Sequence, residues 1–286
     1  MVKTIKFNLI LDGINVRDLE VLKNNFNIDD ILEYYHSGLL HKWFSVRGMD
    51  SYVEKLTEVQ EENDLGIIKK IIEILNIKIN PTEVEEAIYS IKYQKEQQEI
   101  LDMYKESNFT INQIIDDYHQ GYSKLVNQLL DQKEDIAFIK ATIKEIIQNY
   151  EGLFRLNTRH FYEYFIEKAP IVIFAVLLND QARKVFLNHK YVKEVISKIA
   201  FDAKILEQLG EHLKIFKGQT EGYWKDLEPN GKKFMVISLV NGNFVRSIGN
   251  VGEQLSSNDV NGQFVILNGL NYMSNNSTHE LKYMEV

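Results

Sequence analysis

Read every three or four residues, the stretch from Thr110 to Leu153 shows a single apolar stripe: Ile111, Ile115, Tyr118, Tyr122, Leu125, Leu129, Gln132, Ile136, Ile139, Ile143, Ile146, Tyr150 and Leu153. The intervals alternate between four and three, and Gln132 is the one polar member, which is the signature of a heptad seam. Charge lies off the stripe at Asp116, Lys124, Lys140 and Lys144, and no proline interrupts it. The pattern predicts one long helix, or a helical hairpin broken near Asp131–Asp135, laid against other helices.

Upstream, Lys3 to Asp12 alternates as a strand, with Ile5, Phe7, Leu9 and Leu11 on one face, and Asp12-Gly13 turns the chain. Short helices follow. One starts after Asn27, a good N-cap with Asp29 and Asp30 in the first turn, and stops at Ser37-Gly38. Another runs from Leu39 to Val46, and a further one from Met49 to Glu61. Leu65, Ile68, Ile71, Ile72 and Leu75 mark an amphipathic helix. Asn80-Pro81-Thr82-Glu83 starts a helix that reaches about Tyr104. Its ends are apolar and its middle, Lys92 to Glu99, is almost wholly polar, as expected of a helix that crosses solvent or pairs only at its ends.

Past the seam come an aromatic-rich segment, Phe154 to Lys168, the apolar run Ile171 to Leu178, and three more helical segments ending near Gly210. Nine of the 15 glycines lie between Gly210 and Val286, with four Asn-Gly pairs at 230–231, 241–242, 261–262 and 268–269. Asn-Gly between apolar runs favours a type I′ hairpin, so Phe234–Val240 and Asn243–Ser247 are expected to pair, with further strands at Leu213–Lys217, Gln263–Leu267 and Leu281–Val286. The expected fold is mainly α with a C-terminal antiparallel β domain. Three parts are expected: a strand-plus-short-helix module over 1–61, a helical domain over 62–209, and a small β domain over 210–286. A protease-sensitive boundary is expected near Gly210 to Gly222.

Composition narrows the chemistry. At 286 residues, 44% apolar and 26% charged, the chain has ordinary globular composition. A net charge of -8 gives no broad attraction to nucleic acid. The absence of cysteine excludes disulfides, thiolate nucleophiles and thiolate metal sites. The N-terminal residues lack a signal-peptide pattern, and the eight-residue run Ile171–Leu178 is short of the roughly 20 residues a membrane span needs. A cytoplasmic protein without a membrane partner is expected.

Leu11-Asp12-Gly13, Val16-Arg17, Leu19, Leu22, Asn25-Phe26, Ile28, Ile31 to Tyr35, Gly38-Leu39-Leu40, Trp43 and Arg47-Gly48 together resemble a short module of uncharacterised bacterial proteins. There the module commonly precedes helical or stress- and defence-related regions. The resemblance covers about a fifth of the chain and implies a bacterial multidomain protein with a recruitment or regulatory module. It implies no catalytic residues.

The sequence contains no HExxH, P-loop, Rossmann glycine pattern or nucleophile elbow, and His36 and His41 are not at a metal-binding helical spacing. One constellation has catalytic chemistry within reach. Arg155-Leu-Asn-Thr-Arg-His160 resembles the motif of the HEPN ribonucleases, an all-helical family. The resemblance implies metal-independent RNA cleavage, with His160 as general acid or base and Arg155 stabilising phosphorane charge. Leu156 departs from the polar residue that family prefers after the arginine. The competing reading makes His160 a packed or capping residue among Phe154, Phe161, Tyr162 and Tyr164.

Trp43, Tyr223 and Trp224 are the candidate binding residues, an exposed tryptophan being a mark of an interaction surface and a buried one a core anchor. Asp226, Glu228, Lys232 and Lys233 loosely resemble a nuclease carboxylate–lysine spacing, yet Pro229-Asn230-Gly231 between them makes a surface turn the simpler account. The expectation is an interaction or scaffold protein of a bacterial multi-protein system, with protein partners, a homodimer through 110–153 and no cofactor or metal.

Overall fold

A computed structural model describes residues 7–249, 252–275 and 280–286; the start of the expected Lys3–Asp12 strand lies outside them. Mainly helical structure with a C-terminal antiparallel sheet is what the chain adopts. It separates into two compact units, Met1–Gln113 and Ile114–Val286.

The first unit opens with a hairpin of β1 (Leu9–Leu11) and β2 (Ile14–Val16). Asp12 and Gly13 both take positive φ, 47° and 75°, as a two-residue turn between twisted strands requires. Helices α1 (Leu19–Asn24), α2 (Ile28–His36), α3 (Leu39–Ser45), α4 (Asp50–Thr57), α5 (Asp64–Leu75) and α6 (Pro81–Glu106) follow. The Asn27 side chain caps α2 by accepting from the Asp30 amide at 3.0 Å. The Tyr34 hydroxyl binds both the amide and the carbonyl of Ile10, which docks the hairpin on α2.

Leu9, Leu22, Ile31, Leu40, Trp43 and Phe44 share one core with Ile68, Ile71 and Leu75 of α5 and Val84 of α6. A boundary at residue 61, as the helical periodicity suggested, therefore cuts through a continuous core. The amphipathic helices after residue 61 have their apolar faces buried against those before it.

In the second unit, α7 (Ile111–Asp131) and α8 (Ile136–Lys168) are the hairpin form of the heptad stretch. Asp135 caps α8, accepting from the Phe138 amide at 2.9 Å. The axis of α8 breaks at Tyr150, whose φ of -131° and ψ of 23° are not helical. Both halves border α7. Tyr150 lies 4.9 Å from the Tyr118 ring and its hydroxyl abuts Gly121, and beyond the bend Asn157 donates to the Tyr122 hydroxyl at 3.4 Å. From Tyr122 to Tyr150 the seam is buried inside the chain except at the turn, where Gln132 is exposed and Ile136 half-buried.

Around α8 pack α9 (Pro170–Leu178), buried along all nine residues, then α10 (Asp180–Asn188) and α11 (Lys190–Ile199), with α12 (Ala203–Glu207) ending the helical part. Phe154 and Phe161 of α8 meet Phe186 of α10 at ring distances of 5.6 and 6.1 Å.

The sheet comprises β3 (Lys214–Lys217), β4 (Lys225–Leu239), β5 (Phe244–Arg246), β6 (Gln254–Ser256), β7 (Ile266–Met273) and β8 (Glu280–Glu285), with the short α13 (Ser257–Val260) after β6. Its order is β3-β8-β4-β7-β5-β6, and the pairs are antiparallel. The Asn241-Gly242 hairpin expected from the sequence does not form. β7 inserts between β4 and β5, so Val245 faces Tyr272 rather than a β4 residue.

The other Asn-Gly pairs also serve other ends. Asn230-Gly231 is a bulge within β4, opposite Gly269 of β7, where the register shifts between Glu228 and Lys233. A side chain at Gly269 would crowd Ile248 at 2.8 Å and the Asn230 Cα at 3.1 Å. Asn261 uses its amide to bind both the amide and the carbonyl of Leu239 at 2.8 Å, a substitute for a missing strand neighbour.

The sheet rests on the helices of its own unit. Phe264 lies 6.4 Å from Phe174 of α9, and Gly262 fits against Ser197 of α11. A domain boundary at 210 is therefore crossed by core contacts.

Two outcomes are expected. Limited proteolysis should cut first at 107–110, the non-helical link just before the division at 113/114, and only later at 210–222, where Lys214–Lys217 is held on β8; first cleavage at 210–222 would contradict this division. A Gly121→Ala exchange normally gains about 1 kcal/mol in a helix interior. Here it should lower the melting temperature, because the added methyl meets the Tyr150 hydroxyl, and Tyr150→Phe should relieve the loss.

Candidate interaction surface

Arg155 and His160 both lie on α8 beyond the bend, and both are exposed. Five residues along a helix correspond to a rotation of about 140°, so the two side chains leave the helix on different faces. Arg155 donates from Nε to Glu151 one turn back, at 2.9 Å. His160 instead stacks near Tyr164, with ring centres 6.1 Å apart, on the rim of a recess of 210 Å³ between α7 and α8. Phe161, Val126, Tyr122, Tyr164 and Asn157 form its lining, and Arg155 takes no part. His160 is thus neither packed inside nor a cap, and one chain does not bring its imidazole and the Arg155 guanidinium onto a common reacting atom.

The neighbouring Arg159 is committed as well. It pairs with Glu163 at 2.8 Å and covers the Tyr191 ring at 4.4 Å. The hydrogen bond from Arg159 holds the Glu163 carboxyl below its usual range, and the same bond raises Arg159. Behind them Tyr162 is pushed up to about 12 by burial first and by Tyr191 second.

Trp43 belongs to the core. It has no exposed surface, meets Phe44 edge-on at 5.0 Å and lies under Arg47, whose guanidinium is 4.1 Å from the ring centre. Arg47 also donates to the carbonyls of Phe7 and Arg17, at 2.7 and 3.0 Å, so tryptophan and arginine together clamp the hairpin region. Trp43 is an anchor, and the binding role expected of it has no surface to act through.

Tyr223 is 75% exposed, beside the Glu221-Gly222 turn, whereas Trp224 is half-buried with the Arg246 guanidinium 4.8 Å from its ring centre. The carboxylate–lysine group that follows is consumed by the sheet. Asp226 accepts from Asn271 at 2.8 Å, Glu228 accepts from Lys214 and from the Tyr283 hydroxyl, and Lys232 pairs with Glu285. Burial first, then the charge of Glu228, pushes Tyr283 up to about 12. Among the described residues no cluster of three or more His, Asp or Glu is placed to hold a metal ion.

The feature that periodicity alone did not reveal is where the seam stops being covered. Ile111, Ile114, Ile115 and Tyr118 are 76, 38, 48 and 40% exposed, while Tyr122, Leu125 and Leu129 further along α7 are 7% exposed or less. All seven share one face of one helix, which α8 covers only over its C-terminal part. The end of α6, in the first unit, likewise exposes Ile100, Leu101 and Met103. Comparison with known protein families, with curated proteins and with solved structures finds no match to this chain.

Tyr162 and Tyr283, the two tyrosines pushed up to about 12, contribute to an alkaline limit. A hydroxyl held near 12 when folded and near 10 when unfolded favours the folded state fully below pH 10. That contribution is lost as pH rises from about 10 towards about 12. Thermal melts over this range should show the fall, and the pair Tyr162→Phe and Tyr283→Phe should flatten it.

Proposed function

We propose that this chain is a non-enzymatic interaction protein, a helical scaffold or regulator within a bacterial multi-protein system of the stress- or phage-defence kind. The observation that carries the proposal is the uncovered half of the α7 seam. An aliphatic stripe continuous with a buried core costs free energy in water, at about 25 cal/mol per Å² of apolar surface, until a partner covers it. A partner helix presenting its own apolar face fits such a stripe, reading Ile111, Ile115 and Tyr118 as helical anchors. The resemblance of the N-terminal module to bacterial multidomain proteins supports the setting, and Tyr223 supplies a second exposed aromatic contact. For self-association through 110–153 the first turns of α7 are the most exposed part, since most seam positions from Tyr122 to Tyr150 are buried.

The test is affinity capture from the native host using the wild-type chain and an Ile111→Asp/Ile115→Asp variant. Both positions are exposed, so the variant should fold normally. A partner that binds the wild type at a defined stoichiometry and is lost with the variant is the expected result. Metal-free degradation of RNA by the purified chain, abolished by His160→Ala with the fold intact, would instead establish the ribonuclease reading and overturn this one.

A further inference from the structure

The outward face of α8 beyond Tyr150 presents a knob next to a notch. Leu156 is 88% exposed, more than any other large hydrophobic residue described. One turn before it is Gly152, where an added Cβ would meet nothing within 4 Å. Residues four apart share a helix face, so the leucine and the gap lie one above the other. Charges line one flank of the same face in a fixed order, with Glu151 beside the notch and then Arg155 and Arg159 on successive turns. Glu151 and Arg155 pair on the helix, both about half exposed, and both remain accessible from outside.

This order is complementary to its own reverse. Set a second α8 antiparallel so that each Leu156 enters the other copy's Gly152 notch. Position 151 of one copy then lies level with position 157 of the other, and Arg155 and Arg159 of that copy, on the same flank as Glu151, lie about 3 Å along the axis to either side. Each Glu151 is therefore met by arginines of the opposite copy, twice over by symmetry, and each exposed leucine is covered. A two-fold interface requires one patch to contain both halves of every contact. This patch does, within 13 residues of one helix, whereas the charges flanking the exposed stripe on α7, Asp116 and Asp117, are of one sign and give no self-complementary register. We propose that residues 151–163 of α8 form a homodimerisation face, occupied by a second copy of this chain in antiparallel register. The face is separate from the partner stripe on α7, and its occupancy does not depend on that stripe's role.

Sedimentation equilibrium of the full chain tests the proposal. The wild type should approach twice 33.5 kDa with rising concentration. Leu156→Glu should hold it at the monomer mass with an unchanged circular dichroism spectrum and melting temperature, since the side chain supports nothing within the chain. Gly152→Gln should do the same by filling the notch. Ile115→Asp, on α7, should leave the dimer intact. The register is tested by charge exchange. Glu151→Arg alone sets arginine against arginine, and Arg155→Glu alone sets glutamate against glutamate, so each should dissociate. An equimolar mixture of the two should recover the dimer mass. A wild type that stays at 33.5 kDa over the whole accessible range, or a dimer indifferent to Leu156→Glu or lost with Ile115→Asp, overturns the proposal. Failure of the mixture to recover the dimer overturns the antiparallel register.

Discussion

The second unit depends on how α8 is covered along 33 residues while bending once. A straight helix of that length would carry its apolar stripe well past the end of α7, leaving too much surface for one neighbour. The break at Tyr150 divides the problem. Before it, Ile139, Ile143 and Ile146 are buried on the seam; after it, Phe154, Phe161 and Phe165 turn towards the aromatic contact with α10. Tyr150 itself is accommodated only because Gly121 has no side chain where the phenol lies. Sharp helix bends need a local cause; no proline stands here, and Gly152 follows Tyr150 by two residues, in the same turn. At the bend the Tyr150 ring packs against Tyr118 and Tyr122 of α7.

From that bend follows the division of the surface into covered and uncovered parts. α7 meets the bend near its middle, through Tyr118, Gly121 and Tyr122, so its last three turns are core and its first two are not. The same bend turns Glu151, Gly152, Arg155 and Leu156 outward on the far side of α8. Two exposed features of opposite kind result: a neutral aliphatic stripe on α7 and a short knob-and-notch with ordered charge on α8. Each charged side chain around Arg155 and His160 is tied to a neighbour on its own helix or on α11, an arrangement suited to holding a surface in shape.

The sheet is organised by a similar substitution of side-chain for main-chain contacts. Strand order places β5 beyond β7, so the end of β4 at Leu239, paired with Leu281 of β8 on one side, lacks a strand neighbour on the other, and the Asn261 amide takes that place with both of its polar atoms. Burying a peptide group without such a partner costs on the order of 1–3 kcal/mol. Within the same sheet Thr220, Ser274 and Asn243 form a buried chain of hydrogen bonds that joins the loop before β4 to the end of β7.

By itself the sequence determined the local elements. The alternation of three and four marked helix over 110–153, either unbroken or as a hairpin broken near Asp131–Asp135, Asn27 and Gly38 marked the limits of α2, and glycine enrichment after Gly210 marked the change from helix to sheet. These are properties of a few neighbouring residues, set by dihedral preference, capping and hydrophobic period, so they are legible in one dimension. Tertiary structure alone decided what each apolar stripe meets. Whether Trp43 is an anchor or a contact, whether Asn241-Gly242 closes a hairpin, and where the seam runs out of partner all depend on which distant segment arrives alongside. The same holds for Arg155 and His160, whose spacing suggested a common site until the helix carried them to different faces. A heptad pattern specifies that a face must be buried; only the packed chain specifies by what, and over how much of its length.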